Sequence, residues 1–198
     1  MEAFESFVAL ALETEELVVS EALKFPVQQQ TTSGLQTHGY EVDLVGARSD
    51  RLVLASVKSF FGSRGVVADQ VAGTAVRRVL NKRYALLNNA FVRKTVVEGA
   101  AERFGYSLDQ VELRLYVGKF AGSRTGSHEQ RVREWCLGEH VGSGPIRVFN
   151  VEEVVEQVRR VSAITQYRDN AALVAMKVLE AAGALSVSLP HPDPDPRA

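Results

Sequence analysis

The segment that most constrains the fold consists of two short apolar runs, residues 41–47 and 52–58, joined by a polar turn. Both runs are rich in valine and leucine, which favours a β-hairpin across the turn. An acid, Asp43, lies within the first run, and a base, Lys58, ends the second. Because side chains alternate between the two faces of a strand, pairing of the runs can bring Asp43 and Lys58 to one face of a sheet. A carboxylate and an ammonium group that converge at strand ends are more typical of a functional site than of a core.

The periodicity of the remaining chain predicts further helices and strands. An amphipathic helix is expected over residues 2–13, and a strand over residues 17–30, in which Pro26 favours a place at an edge or a bulge. A loop is expected over residues 31–39 because threonine, serine and glycine cluster there. Further helices are expected at about residues 67–81, 88–104, 129–137, 150–161 and 170–183, and further strands at residues 111–117 and 146–149. This order predicts an α/β fold in which helices flank a mixed central sheet.

Asp43 and the tripeptide Ser56-Val57-Lys58 together resemble the motif of the PD-(D/E)XK nuclease superfamily. In that motif an aspartate is followed, after a variable gap, by Glu or Asp, any residue, and Lys. The expected elements over residues 1–120 also resemble the family's core, which runs helix, three strands, helix, strand. The resemblance implies a restriction-endonuclease-like fold and hydrolysis of phosphodiester bonds in DNA, with Mg²⁺ or Mn²⁺ as the cofactor.

The resemblance also implies roles for particular residues. Asp43 would be a metal ligand, the backbone carbonyl of Val57 a second one, and Lys58 the catalytic lysine that orients water and the scissile phosphate. Glu5 would be the first-helix acid that many family members place near the metal, although a solvated helix face explains Glu5 equally simply. The alternative for Asp43 and Lys58 is a surface ion pair, which would contribute less than about 1 kcal/mol.

The family's second acid is replaced here by Ser56, so the catalytic motif has a hydroxyl in place of a carboxylate. Some restriction endonucleases with this core also have Ser-X-Lys and take the missing carboxylate from the following helix, where Asp69 is the acid. Glu41 is another candidate metal ligand, and Gln70 is an alternative, since several nuclease branches have a glutamine early in this helix. Asp69 could instead interact with the helix dipole. With Asp43 as the single carboxylate, the chain would be an inactive relative that binds DNA or a protein partner.

The distribution of charge points to nucleic acid. The net charge is −1, which is unlike that of a protein that binds nucleic acid over its whole surface. Between Asp69 and Glu98, however, the chain has six bases and no acid. Clustered lysine and arginine indicate phosphate binding, whereas a solvated helix face usually has acids interleaved with the bases. The expected DNA-binding residues are Gln70, Arg77, Arg78, Lys82 and Arg83.

The chain is expected to form one core with an appendage. Residues 1–149 would form the core, residues 150–185 a helical extension packed on it, and the proline-rich residues 186–198 a disordered tail. The C-terminal helices could also form a dimer interface, and a homodimer would suit an enzyme that cuts both strands of DNA.

The composition indicates the compartment. The chain is 45% hydrophobic and 24% charged, which is typical of soluble globular proteins. No apolar run approaches the roughly 20 residues that cross a membrane, and the N-terminal residues include acids where a signal peptide has bases. The single cysteine, Cys136, cannot form an internal disulfide, which favours a reducing compartment. We therefore expect a cytoplasmic protein without a membrane partner or an organic cofactor.

Overall fold

The computed structural model describes residues 2–32, 34–122, 127–162 and 170–184. At Thr31 and Arg78 it describes the backbone alone. The predicted disordered tail, residues 186–198, lies outside the described residues. The described chain forms an α/β fold in which helices flank a mixed five-stranded sheet, as the sequence predicts.

The main sheet has the strand order β1-β2-β3-β4-β7, and β5 and β6 form a separate two-stranded sheet. The strands are β1 (Val18–Thr31), β2 (Gly34–Arg48), β3 (Arg51–Lys58), β4 (Val111–Val117), β5 (His140–Val141), β6 (Gly144–Pro145) and β7 (Arg147–Asn150). The first three strands are antiparallel neighbours, and β4 and β7 join them in parallel. Strand β1 lies at the edge of the sheet, where the missing N–H of Pro26 is tolerated.

The helices are α1 (Ala3–Thr14), α2 (Ala68–Val71), α3 (Arg78–Asn81), α4 (Ala85–Asn88), α5 (Ala90–Phe104), α6 (His128–Gly138), α7 (Val151–Ser162) and α8 (Ala171–Ala181). Two 3₁₀ turns span Lys82–Tyr84 and Leu108–Gln110. Helix α1 precedes the three antiparallel strands, and α5 precedes β4, in the predicted order. No helix in the described part of the chain is long and apolar enough to cross a membrane.

The two faces of the sheet are buried under different helices. On β3, Leu52 and Leu54 belong to a core shared with α2, α4, α5 and α6, whereas Val53 and Ala55 belong to a core shared with α1, α7 and α8. Helices α7 and α8 both pack against α1. Because β3 is covered on both faces, its central run Leu52-Val53-Leu54-Ala55 is entirely apolar.

The prediction of a loop over residues 31–39 is wrong. Strand β2 begins at Gly34 and pairs with β1 without interruption from Gly34 to Val42, so that Thr37 is opposite Gln28 and His38 is opposite Val27. We call residues 23–31 and 34–42 the arm, because these parts of β1 and β2 pair with each other beyond the point where β2 leaves β3. The polar composition of the arm reflects exposure to solvent, since ladder hydrogen bonds satisfy its backbone.

The continuous helix predicted over residues 67–81 is also wrong. Helix α2 ends after one turn, and Gly73 adopts a left-handed conformation with φ of 76°. The N–H groups of Thr74 and Ala75 then both donate to the carbonyl of Asp69. The later apolar residues of this segment are consequently not in the core, although Ala68 is: Val76 is fully exposed and Val79 is 67% exposed.

The other predicted helices and strands are confirmed to within a few residues. Helix α5 ends before Gly105, and β4 follows. Asn150 accepts a hydrogen bond at 2.9 Å from the N–H of Glu153 at the start of α7, and Asn170 caps α8 through the N–H groups of Ala172 and Leu173. These caps satisfy donors that have no partner within the helix.

Candidate active site

The sheet divides at Asp43. Pairing of β2 with β3 runs from Arg48–Arg51 to Leu44–Ala55 and stops there. Beyond that point β2 stays paired with β1 in the arm, while β3 stays paired with β4 as far as Lys58–Val117. The two strands therefore separate, and the residues at the point of separation are Asp43, Ser56, Val57 and Lys58. We call these four residues the fork.

Both strands of the arm are distorted next to the fork. The pairing of β1 with β2 skips the position at which Ala22 is opposite Asp43, and Ala22 has φ of 50°. Leu44 belongs to the core under α1, whereas Val42 and Val45 both belong to the other core. Regular alternation would place Val42 with Leu44, so the strand changes face at Asp43. The regular alternation that the sequence analysis assumes for the run 41–47 is therefore broken at Asp43.

The carboxylate of Asp43 occupies the gap between the strands. Its Oδ2 accepts hydrogen bonds from the N–H of Val57 at 2.6 Å and from Oγ of Ser56 at 3.3 Å. The Val57 N–H has no ladder partner on β2 at this point, and a buried N–H without a partner is costly. Asp43 thus replaces the missing backbone acceptor and is itself held in place by β3.

Lys58 completes the cluster. Its Nζ donates to Oδ2 of Asp43 at 3.3 Å and to the carbonyl oxygen of Val57 at 3.0 Å. The side chains of Lys58 and Asp43 are 17% and 19% exposed, so both are largely withdrawn from solvent yet still reachable. The convergence that hairpin pairing predicts is therefore present. The ammonium group bridges a carboxylate and a carbonyl oxygen, which are the types of oxygen that a hard divalent cation binds.

The backbone at the end of β3 is held rigidly. The carbonyl of Lys58 accepts a hydrogen bond at 2.9 Å from the N–H of Gly118, the first residue after β4. A Cβ atom at position 118 would lie 2.5 Å from the carbonyl oxygen of Ser59, so only glycine allows the two chain segments to approach this closely. This contact fixes the position of the Lys58 backbone, from which the side chain extends toward Asp43.

Each of the other predicted metal ligands has a partner outside the fork. Glu41 forms an ion pair at 3.7 Å with Lys24 on the arm, and Asp69 binds Arg131 of α6. The Glu5 carboxylate accepts a hydrogen bond at 2.9 Å from the N–H of Glu2 in the capping box of α1. No cluster of three or more His, Cys, Asp or Glu side chains suited to a metal occurs among the described residues.

The N-terminus of α1 nevertheless lies beside the fork. The Oγ of Ser59, the residue after Lys58, donates to the carboxylate of Glu2 at 2.8 Å. The ring of Phe4 meets that of Phe61 edge-on, with centroids 5.4 Å apart. These contacts bring the first turn of α1, which contains Glu5, to the end of β3.

The predicted DNA-binding residues lie on the broken segment that follows the fork. Gln70 is in α2, and the side chains of Arg77, Lys82 and Arg83 are exposed. The backbone of Arg78 begins α3. Arg77, Lys82 and Arg83 are therefore available to a partner, although the segment does not form the one helix expected.

Sequence reasoning missed a cleft of about 770 Å³ between the arm and this segment. The feature of the sequence that could have indicated the cleft is the absence of acids from residues 22–40. The interval between Asp69 and Glu98 is likewise free of acids. The residues that characterise the cleft are Gln29, His38, Tyr40, Lys82, Asn88 and Asn89.

Sequence reasoning also missed a second cluster of charges, on the opposite face of the sheet from the Lys58 side chain. Arg114 of β4 is completely buried and makes hydrogen bonds of 2.7 and 2.9 Å with the two carboxylate oxygens of Glu15. Burial opposes the charge of Arg114, but the hydrogen bonds with Glu15 outweigh it and raise the pKa of Arg114. The pKa of the adjacent Tyr116 is also raised, to about 12, and there the cause is burial, which disfavours the charged phenolate. We call this set the Arg114 cluster, and its members are Glu15, Arg51, Glu112, Arg114 and Arg147.

The chain matches no protein-family model and no curated protein. Among solved structures it is similar to AF1548, whose crystal structure is described as that of a protein of unknown function. That similarity has a TM-score of 0.37 and 14% sequence identity, and it covers 91% of this chain and 77% of the other. A likeness this distant carries no argument about function.

Proposed function

We propose that the protein is a metal-dependent nuclease that hydrolyses phosphodiester bonds of DNA, with its active site at the fork. The observation that carries the proposal is the position of Lys58 Nζ, 3.3 Å from Oδ2 of Asp43 where β2 and β3 separate. The gap between the strands supplies what such a reaction needs: a carboxylate, a carbonyl oxygen and an ammonium group, at a position that remains reachable from solvent. The single cysteine, Cys136, is free and buried, which is consistent with the cytoplasmic location that we also propose.

The fork fits a weakly held Mg²⁺ or Mn²⁺. Asp43 would supply one charged oxygen and Val57 its carbonyl, while Ser56 contributes a neutral hydroxyl. Mg²⁺ commonly keeps several waters and is bound through one or two carboxylates together with substrate phosphates. When bound, such an ion would polarise the phosphoryl oxygens and lower the pKa of a bound water. Glu5 is the candidate for a further carboxylate, because the first turn of α1 lies beside the fork.

Lys58 has the clearest role in the chemistry. Hydrolysis attacks phosphorus with water and breaks a P–O ester bond, so negative charge accumulates on the phosphoryl oxygens. An ammonium group that leaves Asp43 to contact the scissile phosphate would stabilise that charge at the point where it develops. Asp43 and the carbonyl oxygen of Val57 would hold the ammonium group until substrate arrives. Exposed Arg77, Lys82 and Arg83, with the neighbouring Arg78 and Gln70, would bind the flanking phosphates.

The test is cleavage of single-stranded, duplex and branched DNA with Mg²⁺ and with Mn²⁺. We expect metal-dependent cleavage that Asp43→Asn and Lys58→Ala each reduce by at least about 100-fold. Asp50→Asn and Lys94→Ala are the matched controls, since both residues are exposed and lie away from the fork. Cleavage that persists unchanged in the two fork variants would refute the assignment of the site.

A second candidate is a catalytically inactive domain of the same fold that binds DNA or a protein partner. It is favoured by Ser56 in place of an acid and by the ion pairs that hold Asp69 and Glu41 outside the fork. This alternative predicts DNA binding that weakens with rising salt and with Arg77→Ala, without cleavage under any metal. Metal-dependent nicking by the wild type would exclude it. A homodimer remains part of the proposal for the active form, and sedimentation of the protein with and without DNA tests it.

A further inference from the structure

We propose that the cleft between the arm and residues 73–89 binds an unpaired segment of the nucleic acid strand next to the fork. This inference rests on the proposed function, which it deepens by naming the form of substrate. It is carried by the charge, chemistry, size and position of the cleft.

Both walls of the cleft are free of acids. The arm residues that line the cleft, Gln29 and residues 38–40, lie within residues 22–40, and the opposite wall lies within residues 70–97. Neither stretch contains Asp or Glu, and Glu41 of the arm does not line the cleft. Lys82 lines the cleft, and the exposed Arg83 follows it. A polyanion can therefore enter without meeting a carboxylate of either wall, and Lys82 can bind its phosphate.

The uncharged groups of the cleft suit base edges and base faces. Gln29, Asn88 and Asn89 line the cleft with amides. Asn88 uses its Nδ2 on the carbonyls of Gln70 and Asn81, so its Oδ1 remains to accept, and Gln29 uses one N–H on the Tyr40 hydroxyl and keeps the other. Asn89 uses its Oδ1 to cap α5, so that its amide N–H groups remain to donate. His38 and Tyr40 supply rings on the arm wall, and bases commonly stack on such rings in complexes with single strands.

The size of the cleft selects an unpaired strand. A volume of about 770 Å³ lies within the range of about 300–1,000 Å³ that holds a drug-sized ligand. A nucleotide whose base has left the stack is of that size. The bases of an intact duplex are paired and stacked inside it, so they cannot reach the amides and rings at once.

The position of the cleft relates it to the fork. Tyr40 and Asp43 are three residues apart on β2, which corresponds to about 10 Å along an extended strand. On the other wall, Nδ2 of Asn88 donates at 3.0 Å to the carbonyl of Gln70 in α2, the helix that follows the fork. A strand held in the cleft would therefore lead its next phosphates toward Asp43 and Lys58.

The experiment is fluorescence anisotropy with a labelled single-stranded oligonucleotide and the blunt duplex of the same sequence, in EDTA so that cleavage does not intervene. We expect the single strand to bind at least about tenfold more tightly than the duplex. Lys82→Ala should reduce the slope of log affinity against log salt by about 0.7, the effect of one phosphate contact on a single strand. His38→Ala should weaken binding about tenfold at an unchanged slope, and His38→Trp should restore it.

Lys94→Ala is the matched control, because Lys94 belongs to the same acid-free interval but lies outside the cleft. All three substituted residues are exposed, and thermal melts verify that the variants fold. Equal affinity for the single strand and the duplex, or equal effects of Lys82→Ala and Lys94→Ala, would overturn the inference. So would a mononucleotide that competes as strongly as the oligonucleotide itself. If the protein binds the single strand but does not cleave, the inference about the cleft stands and the proposed nuclease activity fails. If cleavage is unaffected by Lys82→Ala and His38→Ala, the role of the cleft is refuted and the nuclease proposal stands.

Discussion

The fork and the Arg114 cluster are both groups of opposite charges on apolar strands, and they differ in how completely those charges are satisfied. In the Arg114 cluster the guanidinium is fully buried and donates to Glu15, Glu112 and the hydroxyl of Tyr116. In the fork, by contrast, the hydrogen bonds that Asp43 accepts from described residues all fall on Oδ2. Its Oδ1 accepts no hydrogen bond from the described residues.

This difference shows why an ion pair in a sheet is not by itself a functional site. The Arg114 cluster links the C-terminus of α1 with β3, β4 and β7 and saturates the donors of Arg114, as a structural network should. The fork keeps two charged groups reachable at a gap in the sheet. A structural cluster should affect stability when it is broken, whereas a functional one should affect binding or chemistry.

The largest expected effect on stability is that of Glu15→Gln. The substitution leaves the buried Arg114 with less compensating charge, so we expect the free energy of unfolding to fall by about 3 kcal/mol. Asp43→Asn is the matched comparison and should cost about 1 kcal/mol, since the amide oxygen still accepts from the Val57 N–H. Urea denaturation measures both. Equal losses of stability would contradict the distinction between the two clusters.

The same cluster predicts a pH dependence of stability. Burial alone would raise the pKa of Glu15, but the hydrogen bond and charge of Arg114 outweigh it, and the pKa is lowered from the usual 4.5. The stability that Glu15 contributes is therefore fully present above pH 4.5 and is lost as pH falls through the lower value in the folded state. Urea denaturation at neutral and acidic pH should show a smaller acid-induced loss for Glu15→Gln than for the wild type. Identical pH profiles would contradict the assigned role of Glu15.

A smaller effect is expected at the fork, where removing a charged group should strengthen metal binding instead of weakening the fold. Because the ammonium group of Lys58 occupies the two oxygens that a cation would bind, Lys58→Met should raise the affinity of the DNA-free protein for Mn²⁺ by about tenfold. The same variant should lose cleavage. Electron paramagnetic resonance titration measures the affinity, with Lys94→Met as the control. An unchanged or lower affinity would show that Lys58 does not compete with the metal.

The smallest effect concerns the distortion opposite the fork. Ala22 has φ of 50°, which costs a residue other than glycine about 1–2 kcal/mol. We therefore expect Ala22→Gly to stabilise the protein by up to about 1 kcal/mol. Ala47→Gly, in the regular part of β2, should instead destabilise it. A loss of stability in both variants would indicate that the left-handed conformation at residue 22 is not strained.

The sequence predicts much of the fold and the centre of the site, because both follow from local rules. Alternation of apolar residues predicts β3 and β4, and hairpin pairing predicts that Asp43 approaches Lys58. The change of face at Asp43 could not be predicted, since position 22 has alanine and not the glycine that usually marks such a bulge.

Other features depend on contacts that no local pattern contains. The partner of Arg114 is Glu15, 99 residues away in the chain. An arginine within the apolar strand β4 signals that a partner must exist, but it does not say which one. In the segment after the fork, alanine and valine spacing predicts a helix, whereas the structure breaks it at Gly73 and exposes Val76.

The most direct test of the nuclease proposal is to crystallise the wild-type protein with uncleavable phosphorothioate DNA and Mn²⁺. Anomalous scattering then gives the position of the Mn²⁺ ion. We expect one ion in contact with the Asp43 carboxylate and the Val57 carbonyl, with the Lys58 ammonium moved from Asp43 to the scissile phosphate. An ion bound elsewhere, or Lys58 still paired with Asp43 beside bound DNA, would contradict the account.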